Sequence, residues 1–124
     1  MIAIDTSSLI AYFKNFPGDD ITQVDSALEQ GCAVFPPVVL CEMLSDHKLS
    51  SEVVQILRRI PLLPVSTGYW ERGGFTRAKL ISRGLKARLA DTLIAQSCID
   101  NDVPLITRDD DFRHYARYSG LRLL

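Results

Sequence analysis

The sequence is poor in the residues that most metal and nucleophile chemistry uses. It has two histidines, His47 and His114, and neither shares a metal-ligand spacing with a partner. Its three cysteines, Cys32, Cys41 and Cys98, are odd in number, widely spaced and each set among apolar neighbours. Neither a disulfide framework nor a zinc site is written that way, and buried free thiols in a reducing compartment are expected. The glycines form no phosphate-binding loop, no serine stands in a G-x-S-x-G elbow, and no CxxC pair occurs. No apolar run approaches the length of a membrane span. The first residues carry no basic cluster and place Asp5 inside their one apolar stretch, which speaks against a signal peptide. A cytoplasmic protein is the expectation.

With 124 residues and 47% hydrophobic composition, the chain suffices for one domain over 1–124 with its own core. A net charge of −1 argues against a general polyanion binder, yet the charge is unevenly spread. Residues 1–57 hold eight acids against Lys14 and Lys48, whereas residues 58–124 hold twelve cations against seven acids. Within the second half, Arg72, Arg77, Lys79, Arg83, Lys86 and Arg88 follow one another with no acid between them. That stretch is a candidate phosphate-facing surface; a solvated helix face or a dock for an acidic partner would look the same.

Short apolar runs alternate with helical patterns. "MIAI" reads as a strand, and a helix from about Thr6 aligns Leu9, Ile10 and Phe13. A second helix is predicted with Asp20 as its cap, Gln23 three residues on, and Gly31 as its stop. "CAVF" is a second strand. Pro36–Pro37 begin a helix through Glu42, and Ser50 or Ser51 begins another that ends before Pro61. "LLPV" is a weak strand, residues 67–83 a long helix, about 89–101 a further helix, and "PLIT" and "LRLL" the last strands. The alternation predicts an α/β fold with a mostly parallel central sheet of about four to five strands flanked by helices. In such sheets, sites form beyond the carboxyl ends of strands, where Asp5 and Thr107–Arg108–Asp109 fall.

Four acidic positions stand in apolar company. Asp5 ends "MIAI", Glu42 lies in "PPVVLCEML", Asp91 lies in "RLADTLIAQS", and Asp109, Asp110 and Asp111 follow "PLIT". Each alone has an ordinary explanation as a cap, a helix-dipole partner or a solvated turn. Glu42 is expected to be at least partly buried. Carboxylates gathered away from water resist ionisation unless a cation compensates them, and hard cations such as Mg²⁺ or Mn²⁺ require oxygen ligands. An aspartate-nucleophile phosphatase would carry a D-x-D pair after its first strand; here Thr6 and Ser7 follow Asp5.

With "IDTSSLI", "CEML", "LADTLIAQ" and "PLITRDDDF" in this order, the chain resembles the PIN-domain family, specifically VapC-type ribonuclease toxins of toxin–antitoxin pairs. The resemblance implies a single PIN-like domain and a metal-dependent endoribonuclease using Mg²⁺ or Mn²⁺. It assigns the acidic cluster to Asp5, Glu42, Asp91 and Asp109, with Asp111 as an alternate or supporting ligand and Asp110 solvated. It places the family's small hydroxyls on Thr6 or Ser7 and on Thr107, and makes single-stranded RNA the substrate, tracked by the 72–88 cations. It further implies a cognate antitoxin covering the site and a homodimer formed by early helices; Ile21, Val24, Leu28, Val53, Val54 and Leu57 of the second and fourth helices face either the core or a second subunit, with the core expected for most of them. An RNA-processing or DNA-directed nuclease with the same acids, or an inactive PIN-like binding module, stays open at this point.

Overall fold

All 124 residues are described in the computed structural model. Strand β1 (Ile2–Ile4) is central, with β2 (Ala33–Val34) on one side and β3 (Leu105–Ile106) on the other, all parallel. Ala3 faces Val34 across one edge and Leu105 across the other. These strands are apolar throughout and, save half-buried Ile2, fully buried, the signature of a parallel sheet covered on both faces. Two single-residue parallel bridges, Phe35 with Leu62 and Leu105 with Leu123, widen the sheet at each edge. They fall within the predicted "LLPV" and "LRLL" segments, so the sheet is three strands plus two bridged edges.

Seven helices cover it: α1 (Thr6–Phe13), α2 (Asp19–Glu29), α3 (Pro37–Leu44), α4 (Ser51–Arg59), α5 (Tyr69–Ser82), α6 (Leu89–Asp100) and α7 (Phe112–Ser119). Local chemistry accounts for several boundaries. Ser50 accepts a hydrogen bond from the Val53 N–H and so caps α4, and Pro37 opens α3 with its φ already set. Gly31 follows α2 in the left-handed region that a glycine tolerates.

Three expectations need correction. Asp20 is not the α2 cap: Gly18 holds that position, and Asp20 sits in the first turn with its carboxylate turned to Ser8 and Arg108. Helix α7 lies outside the predicted elements, although Phe112 and Tyr115 mark its buried face at i, i+3 and Gly120 stops it. Of the cysteines only Cys98 is buried; Cys32 is half-buried and Cys41 exposed.

Helix α6 runs through the middle of the molecule and packs on α3, α5 and α7. Thr92, Ile94, Ala95, Gln96, Ser97 and Cys98 are all buried along it, so it has hardly any solvated stripe. Val24 and Leu57 join the core, while Ile21, Leu28, Val53 and Val54 are half-buried. No helix is long and apolar enough to cross a membrane.

Candidate metal centre

The carboxyl end of the sheet gathers acids from four different elements. Asp5 follows β1 directly and is 3% exposed. Its carboxylate accepts from the Ser7 hydroxyl at 2.6 Å, the Thr107 hydroxyl at 2.8 Å and, more loosely, the Ser7 N–H at 3.4 Å. It therefore caps α1 while facing the loop after β3. Burial pushes its carboxyl above the usual range, and the two hydroxyls work against that push.

The Thr107 hydroxyl also accepts the Asp109 N–H at 3.0 Å, so one side chain orients two acids. Asp109 in turn accepts the Asp111 N–H at 2.9 Å, folding the loop back on itself. Asp91 enters from the first turn of α6. One carboxylate oxygen from each of Asp91, Asp109 and Asp111 lies within 4.8 Å of the other two. Three hard oxygen donors at that spacing suit a divalent cation such as Mg²⁺ or Mn²⁺, which binds through carboxylates and water.

Asp5 and Glu42 lie outside this tight group but inside its field. The Asp91 carboxyl is pushed up to about 6, first by burial and then by Asp109, Asp5 and Glu42, with Arg88 alone pulling it down. Glu42 reaches the cluster from α3 and accepts the Thr6 hydroxyl at 2.7 Å. Contrary to expectation it is exposed, because α3 buries Val39 and Met43 and turns Glu42 to solvent. Asp110 is 80% exposed at its side chain and pairs with Arg113.

The cations predicted to face phosphate are distributed unevenly. Helix α5 packs on the side of α6 that carries Leu93, Gln96 and Asp100, a stripe of i, i+3 and i+4 neighbours, while Asp91 points the other way. Arg72 accordingly binds Asp100 and the Thr67 carbonyl. Arg77 donates to the Ala87 carbonyl, and Lys79 to the Tyr118 carbonyl. Arg83 lies on the Tyr118 ring. Only the loop after α5 returns to the acids: Lys86 pairs with Asp111 at 3.2 Å and Arg88 acts on Asp91.

One functional pair is not evident from the sequence. Arg108, inside the acidic loop, grips Asp20 with two hydrogen bonds of 2.8 Å and donates also to the Pro17 carbonyl. Ser8 adds a third bond to Asp20. The fork ties the loop after β3 to the start of α2. Gly18 makes room for it: a Cβ there would stand 2.5 Å from the Asp20 carboxylate and 2.9 Å from the Arg108 guanidinium. Arg108 is visible inside "TRDDDF", but nothing local in the sequence joins it to Asp20.

The family model described as the PIN domain matches residues 2–118. The chain belongs to the PIN-domain family. Its fold is also that of VapBC2 from Rickettsia felis, solved bound to a DNA fragment from its promoter, at a TM-score of 0.74 and 22% identity over 100% of this chain and 98% of that one. VapBC-5 from Mycobacterium tuberculosis, a member of the VapBC family of toxin–antitoxin systems, is similar at 0.67 and 20% identity, over 99% and 96% of the two chains. FitAcB from Neisseria gonorrhoeae is similar at 0.70 and 16% identity, over 100% and 96%. No curated protein matches the sequence.

Proposed function

We propose that this chain is a divalent-metal-dependent endoribonuclease and the toxin of a toxin–antitoxin pair. The observation that carries the reading is the convergence of Asp91, Asp109 and Asp111 within 4.8 Å, with Asp5 and Glu42 adding negative field. Asp91 is held above the usual carboxylate range by burial and by the acids around it, a conflict that a bound cation would relieve. Asp91, Asp109 and Asp111 would hold Mg²⁺ or Mn²⁺, with Asp5 and Glu42 completing the ligand field directly or through water. The bound cation supplies Lewis-acid polarisation of the phosphate and activation of a water.

The remaining work belongs to the protein. Ser7 and Thr107 fix the Asp5 carboxylate, Thr6 fixes Glu42, and the Asp20–Arg108 fork fixes the loop that carries Asp109 and Asp111. Lys86 and Arg88 stand beside Asp111 and Asp91 and are the cations that would meet the phosphate. Single-stranded RNA is the favoured substrate, because its backbone can bend into a site rimmed by loops.

The partner reading rests on the VapBC fold likeness and on a cleft of about 290 Å³ that reaches Glu42. The cleft is lined by Ile10 and Phe13 of α1, Glu42 and Met43 of α3, and Val53 of α4. An antitoxin segment seated there would lie against Glu42 and mask the site. A cytoplasmic homodimer completes the proposal.

The deciding experiment assays the purified, partner-free chain and its Asp5→Asn variant on single-stranded and structured RNAs with EDTA, Mg²⁺ or Mn²⁺. Metal-dependent cleavage that disappears in the variant is expected. Cleavage persisting in EDTA or in the variant would overturn the reading.

A further inference from the structure

Five cations have acid partners in this molecule: Arg72 with Asp100, Lys86 with Asp111, Arg108 with Asp20, Arg113 with Asp110 and Arg122 with Asp102. Around Tyr118 the pattern inverts. Arg83 lies over the Tyr118 ring at 4.4 Å from its centroid, Arg117 approaches the same ring at 5.2 Å, and the Lys79 ammonium donates to the Tyr118 carbonyl at 2.6 Å. None of the three has an acid partner, and all are exposed. Three like charges brought to one residue repel, and a ring face offsets that only in part. Both guanidinium edges remain free to donate, in the fork geometry that suits a phosphate.

The place of this cluster relative to the acids gives it meaning. Asp111 and Tyr118 are seven residues apart at the two ends of α7, which puts them on one face of the helix and about 10 Å apart along its axis. Lys86 touches the first and Arg83 the second. The loop 83–88 therefore runs along α7 in the opposite direction, and the Arg77 bond to Ala87 holds it there. Positive charge extends from the acidic cluster to the Tyr118 ring along a single line.

We infer that Lys79, Arg83 and Arg117 around Tyr118 form a binding subsite for an RNA backbone phosphate, about two or three nucleotides from the bond that is cut. The inference rests on the ribonuclease reading and names where its substrate is held. Tyr118 is the platform that gathers the two guanidinium groups within 4.4 and 5.2 Å of one ring, and Lys79 fixes the backbone of that platform.

The test uses Asp91→Asn protein, in which cleavage is expected to fall far enough for bound RNA to stay intact, and the same protein carrying Arg83→Gln and Arg117→Gln. Fluorescence anisotropy follows labelled single-stranded RNAs of about twelve and about three nucleotides across a salt series. The added substitutions are expected to weaken binding of the longer RNA roughly tenfold and to lower its salt slope by about 0.7 for each phosphate no longer held. The short RNA, which does not reach the ring, binds both proteins alike. Arg83→Lys with Arg117→Lys keeps the charge and is expected to restore the salt slope but only part of the affinity, which separates a missing charge from a misfolded chain. Equal affinity and slope for the longer RNA would overturn the subsite, as would an equal loss on both RNAs. So would weakened binding of polyglutamate with RNA binding intact, since the surface would then belong to an acidic polypeptide. If the parent protein binds no RNA and the unaltered chain cuts none, the ribonuclease reading itself has failed, a result distinct from the others.

Discussion

Asp91 and Asp100 stand on the same helix, and their separation turns them to opposite sides of it. On the α5 side, Asp100 receives Arg72 through its Nε and Nη2 groups and Gln96 through its amide. Burial pushes the Asp100 carboxyl up, but those bonds outweigh it and hold the group below the usual carboxylate range. On the sheet side, Asp91 meets Asp109, Asp5 and Glu42 instead, and its carboxyl is pushed up to about 6. One aspartate is a finished structural contact, and the other is left in want of a cation. Both are half-buried, at opposite ends of one helix, and the company each keeps across the fold separates a fastener from a candidate site.

Asp91→Asn should have the largest effect. Removing a metal ligand is expected to lower cleavage about a thousandfold, taking several kcal/mol of transition-state stabilisation at 1.4 kcal/mol per tenfold. The metal-free variant should nonetheless melt higher than the parent, by on the order of 1 kcal/mol once solvent screening is allowed for. The sign follows from the Asp91 carboxyl lying near 6, above its ordinary 3.8. Its charge opposes folding at neutral pH, and the metal-free parent gains stability as pH falls from about 6 toward that ordinary value. Thermal melts of both proteins with and without Mn²⁺ check both halves; a variant less stable than the parent without metal would erase the contrast with Asp100.

Arg108→Ala and Gly18→Ala both disrupt the fork on Asp20, one by deletion and the other by a Cβ placed against it. Each is expected to weaken Mn²⁺ binding by roughly 10–100-fold in a calorimetric titration, the range for residues that orient metal ligands. Arg108→Lys should recover little, since an ammonium cannot make the paired bonds. Unchanged Mn²⁺ affinity in both variants would show that the loop needs no anchor.

Lys86→Ala works in the other direction. Its ammonium sits 3.2 Å from Asp111 and competes with any cation there. Loss of an exposed pair of this kind should tighten Mn²⁺ binding about threefold. The smallest effect on the site is expected from Arg72→Ala, which breaks the Asp100 contact. It should lower the melting temperature and leave Mn²⁺ affinity within about twofold. A large loss of affinity would mean that the two sides of α6 are coupled.

Much of this is legible in the sequence because it is local. A strand ending in a carboxylate with hydroxyls behind it, as at Asp5, and an aspartate opening an apolar helix, as at Asp91, are patterns that chain periodicity alone exposes. What stays hidden depends on which way an element faces. Glu42 has apolar neighbours at helical spacing, yet α3 buries Val39 and Met43 and leaves Glu42 outward. Asp20 looks like a cap until Arg108 arrives from 88 residues away. The cations from Arg72 to Arg88 form one uninterrupted run in sequence, but the fold disperses them: Arg72 is held by Asp100 on the far side of α6, Lys79 and Arg83 gather at Tyr118, and only Lys86 and Arg88 stand beside the acids. Helix α7 escapes notice because it is mostly polar, with Phe112 and Tyr115 as its only fully buried residues.

The bond from Thr107 to Asp5 joins positions 102 residues apart. During synthesis at roughly 5–20 residues per second, Asp5 leaves the peptidyl-transfer centre on the order of 5 to 20 seconds before Thr107 is added. Until β3 takes its place beside β1, Asp5 lacks its Thr107 hydroxyl and two of the three clustered carboxylates have not been made. Most of the chain can thus be complete while the acidic cluster does not exist. On the proposed ribonuclease reading, a chain so arranged would be harmless to the messenger and ribosome producing it, and the interval would give an inhibitory partner time to meet the early helices before there is a site to inhibit.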